Sequence, residues 1–225
     1  MRGSWSEISG DSDIWKKLLI GSACILFVLP IPVALGAIAQ DLEDEYKRLK
    51  EESPPGKTPD FDNPASLLGK GLAPSFMLFL ALMLYCLPTV VVLMSSAQTY
   101  AWVKSEHGIN FLSLLVTAGF GFVALVVQFF CTIIFPIALA QFGRGMNIKP
   151  AMHPMTNLGF AFEMGAPFWI KASGYWFFLL ASMVLFIQGV SFWVNLPIQL
   201  ILGMLAYASL IVSGRYALHQ LQTRL

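Results

Sequence analysis

Four long stretches of this chain carry no Asp, Glu, Lys or Arg: 18–40, 71–103, 107–143 and 172–214. An α-helix rises about 1.5 Å per residue and a bilayer's hydrocarbon core is about 30 Å thick, so roughly 20 uncharged apolar residues cross it. The first three stretches suit one crossing each. The fourth would form a helix roughly 65 Å long, which is two crossings and needs a turn. Asn195-Leu196-Pro197, after Ser191-Phe192-Trp193, supplies that turn, because Asn and Pro are turn formers and Trp prefers the membrane interface. Composition agrees. Of 225 residues, 56% are hydrophobic and 12% charged, against roughly 25% charged in an average soluble domain. That excludes an ordinary soluble globule and a disordered chain. A net charge of +1 leaves no basic footprint for nucleic acid.

The expected fold is therefore all-α. It is a single membrane domain over 1–225, a helical bundle with spans at about 18–39, 72–97, 110–141, 174–190 and 196–214. Pro30 and Pro32 lie inside the first span, which either continues past them or is broken and re-entrant. Pro136 kinks or ends the third. Arg2, Lys16 and Lys17 precede the first apolar run as in a signal peptide, but the run is too long for one and lacks an A-x-A site near its start. Four of the 14 basic residues, Arg2, Lys16, Lys17 and Lys104, fall on the N-terminal side, and the other ten fall opposite. The positive-inside rule puts that second side in the cytoplasm and the N-terminus outside, in a bacterial inner membrane.

A polar cytoplasmic linker occupies 41–70. Its first part pairs opposite charges three or four residues apart, as in Glu43–Lys47 and Asp44–Arg48, which predicts a solvated helical extension. Ser53-Pro54-Pro55-Gly56 stops it. The segment reads as a linker or as a docking site for a partner, with Glu45, Lys47, Arg48 and Phe61 as its candidate contacts. An interfacial segment follows at 143–171, with a short helix expected over about Met155–Met164 and a helix terminator at Gly143-x-Gly145. Pro30-Ile31 and Gly71-Leu72-Ala73-Pro74 have counterparts in Pro136-Ile137 and Gly165-Ala166-Pro167, the outline of a duplicated two-span unit.

Trp15-Lys16-Lys17-Leu18-Leu19-Ile20-Gly21, Pro30, Pro59-Asp60-Phe61-Asp62-Asn63, Leu67-Leu68-x-x-Gly71-Leu72 and Asn157-Leu158-Gly159-Phe160-Ala161-Phe162 follow one another along most of the chain. This order resembles the prokaryotic membrane proteins grouped as domain of unknown function 4013. Phe61 departs from it, standing where a Trp is common. The resemblance implies a small multi-spanning prokaryotic membrane protein and no catalytic residue.

Chemistry-bearing residues are sparse. Cys24, Cys86 and Cys131 lie singly in expected spans and read as small packers. His107, His153 and His219 lie outside the spans, so no buried axial ligand is offered. Glu163 stands alone and pairs, on this reading, with Arg144, Lys149 or Lys171. No metal site, cofactor loop or catalytic set is recognisable. No expected span carries an ionisable residue, which weighs against proton or ion translocation. Gln128, Gln188 and Gln199 are the polar groups expected to bond between helices. Trp15, Trp102, Trp169 and Trp193 are expected interfacial anchors. The function read from all this is non-catalytic: an accessory or scaffold subunit of a larger bacterial membrane complex, of which an energy-converting one is a natural host. Its partners are membrane lipids and other membrane subunits. The alternative is a small transporter acting as an oligomer.

Overall fold

Where they are described, the uncharged runs fold as helices. The computed structural model describes residues 11–26, 31–51, 61, 111–145, 147–187 and 192–223, and between 76 and 105 it describes 76, 80, 83, 87, 91, 94, 95, 97–102, 104 and 105. The ordered elements are α1 (Ile14–Leu26), α2 (Ile31–Glu51), α3 (Phe111–Ile133), α4 (Phe135–Gly143), α5 (Ile148–Ala151), α6 (Pro154–Met164), α7 (Ala166–Ile187) and α8 (Phe192–Thr223). The described residues between 76 and 105 are helical as well, and no strand occurs among the described residues. Two helical stretches, Leu115–Gly143 and Leu196–Thr223, are long and apolar enough to cross a membrane.

The chain divides into two compact units, Met1–Ala81 with Ile133–Leu225, and Leu82–Thr132. In the larger unit α8 is the hub and packs against α7, α1, α4 and α2, while α2 also packs on α4 and α6 on α7. All nine residues of α4 are buried. A helix apolar on every side belongs in a core, and Phe135, Ile137, Leu139 and Phe142 form that core with Ile38, Leu42, Phe168, Tyr207 and Leu210. In the smaller unit Met83, Leu87, Val91 and Met94 repeat at helical spacing and are exposed, as are Phe111, Leu115 and Phe122 on α3.

Several boundaries differ from the sequence reading. The expected first span, 18–39, is carried by two elements. α1 has 13 residues, roughly 20 Å of helix, short of a crossing. Residues 27–30, with Pro30, lie outside the described residues, and α2 is described from Ile31, with Pro32 inside it. Most of the expected span 72–97 also lies outside them, as do the Pro54-Pro55 stop and the first copy of the duplicated unit. The third run breaks at Ile134, two residues before Pro136, whose ring and absent N–H are incompatible with the preceding turn.

The turn expected at Asn195-Leu196-Pro197 is helix instead. Pro197 lies inside α8, and the helix runs through it at the loss of one backbone bond. At its other end α8 passes the expected stop at Gly214 and runs to Thr223, because Ala217, Leu218 and Leu221 keep burying apolar surface. α7 starts at Ala166, earlier than expected, directly after Gly165. That glycine has φ +71°, the left-handed region that a β-carbon disfavours, and its N–H bonds to the Phe162 carbonyl to close α6. The helix expected over Met155–Met164 is α6, with Pro154 in its first turn.

Candidate functional site

Asp41 is the first charged residue after the apolar start of α2, and Arg215 is the first after the apolar part of α8. The two meet. Arg215 Nε and Nη2 donate to the two carboxylate oxygens of Asp41 at 2.9 and 2.6 Å, with side chains only 3% and 4% exposed. A planar guanidinium facing a carboxylate fork is the strongest ion-pair geometry available to side chains. Burial pushes the Asp41 carboxyl up, and the Arg215 guanidinium pulls against it. A pair of this kind adds little net stability, yet breaking it strands a buried charge, so it specifies register between helices. Backbones approach closely at the same place. A β-carbon on Gly143 of α4 would lie 2.6 Å from the Leu42 β-carbon of α2, and one on Gly214 of α8 would lie 3.5 Å from Leu42 Cδ1.

Deeper in the unit, α1 and α8 also touch through small residues. A β-carbon on Gly203 would overlap Ser22 Oγ, and one on Gly21 would lie 2.5 Å from the Tyr207 ring. Ser22 Oγ donates to the Leu200 carbonyl at 2.8 Å. On the other flank Ser209 Oγ donates to the Lys171 carbonyl of α7 at 2.8 Å. Glycine and serine let helix axes close up where apolar surroundings supply no hydrophobic drive. Tyr207 is fully buried, its ring 6.4 Å from that of Phe61, and its hydroxyl has no hydrogen-bond partner among the described residues.

Where α4 ends, the chain turns at Arg144-Gly145 and starts the short α5, whose N-cap Asn147 accepts from Lys149 N at 3.0 Å. α6 then turns back, and Asn157, buried, donates to the Ala151 carbonyl at 3.1 Å and ties α6 to α5. These turns and Tyr46 of α2 border an open pocket of about 580 Å³. Its polar lining is Tyr46, Gln141, Arg144, Asn147, Lys149, His153 and Thr156. No carboxylate is among its described lining residues. The nearby acids of α2 are engaged along their own helix, Glu43 with Lys47 at 2.6 Å and Glu45 with Arg48 at 3.7 Å. Among the described residues no ion pair joins Arg144 or Lys149 to an acid, so the pairing of either with Glu163 expected from sequence is not formed.

The residues singled out in the sequence have mixed placements. Arg48 pairs with Glu45 and not with Asp44. The helical extension is not solvated all round, because Asp41, Leu42 and Glu45 are buried. Phe61, expected at a docking surface, is 8% exposed and packs on Tyr207; Lys47 is exposed. Gln199 is buried and Gln128 half-buried, while Gln188 lies outside the described residues. Trp15 and Trp102 are exposed, and the Trp169 ring sits 5.3 Å from that of Phe162. Trp193 lies in α8, its side chain outside the described residues. Cys24 and Cys131 are free thiols. Among the described residues no group of three or more His, Cys, Asp or Glu could hold a metal ion. Sequence reasoning missed the Asp41–Arg215 pair and the cavity. The available signal for the pair was that both residues flank the ends of apolar runs.

A family model described as protein of unknown function (DUF4013) matches residues 19–198, and the chain belongs to that family. No curated protein and no solved structure matches it.

Proposed function

We propose that this DUF4013 protein is a non-catalytic integral membrane protein, an accessory or scaffold subunit of a larger bacterial membrane complex. Five crossings fit the charge-free runs, the first shared between α1 and the apolar start of α2, with the N-terminus outside and the C-terminus in the cytoplasm. The observation that carries the reading is the outer face of α8. Ile198, Ile201 and Leu205 are 47%, 56% and 37% exposed, one helical stripe within the apolar stretch Leu196–Thr223, while the opposite face is buried in the unit. Such a stripe is stable against lipid or another subunit, and in water it would be a large adhesive patch. The polar groups of the same helix are spent on structure, as in Ser209 to Lys171, Ser213 to Ser209 and Arg215 to Asp41.

Extraction in mild detergent followed by native mass analysis tests this. The expected result is a hetero-complex of fixed stoichiometry. A homo-oligomer that moves a solute across liposomes would establish the second reading, a small transporter.

A further inference from the structure

We propose that the cavity at the end of α4 is a binding site for a phosphate-bearing anion. The inference stands apart from the subunit reading, because it rests on side chains that reading does not use.

Arg144, Lys149 and His153 line one pocket, and no acid is among its described lining residues. An anion placed among basic and amide side chains gains from several donors at once. Of the described acids of α2, Glu43, Glu45 and Asp41 answer Lys47, Arg48 and Arg215. About 580 Å³ is within the roughly 300–1,000 Å³ range of small-molecule sites. The donor set suits a tetrahedral oxyanion. Arg144 brings a planar fork that matches two phosphate oxygens, Lys149 a point charge, and Gln141 and Asn147 neutral amides. Phe160 and Pro150 give the same cavity an apolar margin.

Position narrows the class further. The cavity opens just beyond Gly143, the last residue of the apolar stretch Leu115–Gly143. On the membrane placement proposed above, the end of an apolar stretch lies near the lipid headgroups, and this step alone rests on that placement. Two sources of the same chemistry reach it, a phospholipid headgroup and a soluble phosphate. The turn is built to hold its shape, with Asn147 capping α5 and Asn157 tying α6 to the Ala151 carbonyl.

The test uses the full chain in mild detergent, washed free of lipid. One arm titrates inorganic phosphate at constant ionic strength. A second titrates short-chain phosphatidylglycerol, and a third short-chain phosphatidylcholine, each read by calorimetry. Saturable one-site binding is expected in at least one arm. Phosphate alone marks a soluble anion, and either lipid without phosphate marks a headgroup. Lys149→Gln is expected to weaken that binding about tenfold and the Arg144→Gln, Lys149→Gln pair about a hundredfold, one charge-assisted contact each. Lys149 is exposed on a four-residue helix, so its variant folds even if the double variant does not. Lys47→Gln, outside the cavity and paired with Glu43, is expected to bind as the wild type does. No saturable binding in any arm, or binding that Lys149→Gln leaves intact, overturns the proposal.

Discussion

Arg215 grips Asp41 across the contact of α8 with α2, 174 positions apart in the chain, through two hydrogen bonds that solvent barely reaches. Removing either partner leaves a charge buried without its counterpart, at a cost of about 3–5 kcal/mol. Arg215→Gln and Asp41→Asn are each expected to lower the melting temperature in detergent sharply. Replacing both residues by apolar side chains of matching volume is expected to recover most of the loss, because neither charge is then stranded. Thermal melts of the three variants check it. A double variant as unstable as the singles would show that the pair does more than fix register.

The same pair predicts a pH dependence. In the wild type burial pushes the Asp41 carboxyl up and Arg215 opposes the push. In Arg215→Gln the opposing charge is gone, so the folded pKa rises further above the unfolded one. The folded state then binds the proton more tightly than the unfolded state. Its stability is full below the unfolded pKa and is lost as pH rises through the folded pKa. The gap in melting temperature between wild type and variant is therefore expected to widen from acid to neutral pH. Adding Asp41→Asn to the variant is expected to flatten that slope.

Helix approach gives a third prediction. A β-carbon on Gly203 would overlap Ser22 Oγ, so Gly203→Ala is expected to destabilise by about 1–3 kcal/mol, the scale of an overpacked core. Ser22→Ala in the same chain removes the nearest obstructing atom and is expected to return part of it. Melts of the two single variants and the double variant give the coupling directly.

Backbone geometry gives a fourth. Gly165 has φ +71° between α6 and α7. Gly165→Ala is expected to cost about 1–3 kcal/mol, because the β-carbon disfavours that conformation. Gly145, with open space around its β position and no positive φ, is the matched site where Ala is expected to cost little. Chemical unfolding of both variants separates the two cases.

Orientation gives a fifth. With Cys24, Cys86 and Cys131 replaced, a single cysteine at Ser53 is expected to react with a membrane-impermeant maleimide only after the cytoplasmic face is opened. A single cysteine at Ser105 is expected to react from outside in intact cells. The opposite pattern inverts the topology.

The charge-free runs made the helices legible, because helix length and apolar content both follow from what a bilayer or a dry core will accept. Pro136 was legible for the same local reason: a ring and a missing N–H act within one turn, and the break falls two residues before it. Pro197 misled because a proline does not always end a helix, and α8 runs through it. The charges of the 41–52 segment were read against each other at helical spacing. That found Glu43–Lys47 and missed Asp41–Arg215, since spacing along one helix carries no information about a partner 174 positions away. The cavity was illegible for a related reason. Arg144, Lys149 and His153 are near in sequence, but Tyr46 joins the lining from α2, and only the packing of α2 on α4 brings it there.

α8 follows every other described element in chain order and touches α1, α2, α4 and α7. While the ribosome is still making it, those four helices have no common neighbour, and Asp41 waits without its counter-charge. Emergence of residues 200–215 is the event that closes the larger unit, so a nascent chain interrupted shortly before then is expected to present its earlier helices to insertion factors and quality-control proteases as a partly packed set that lacks its hub.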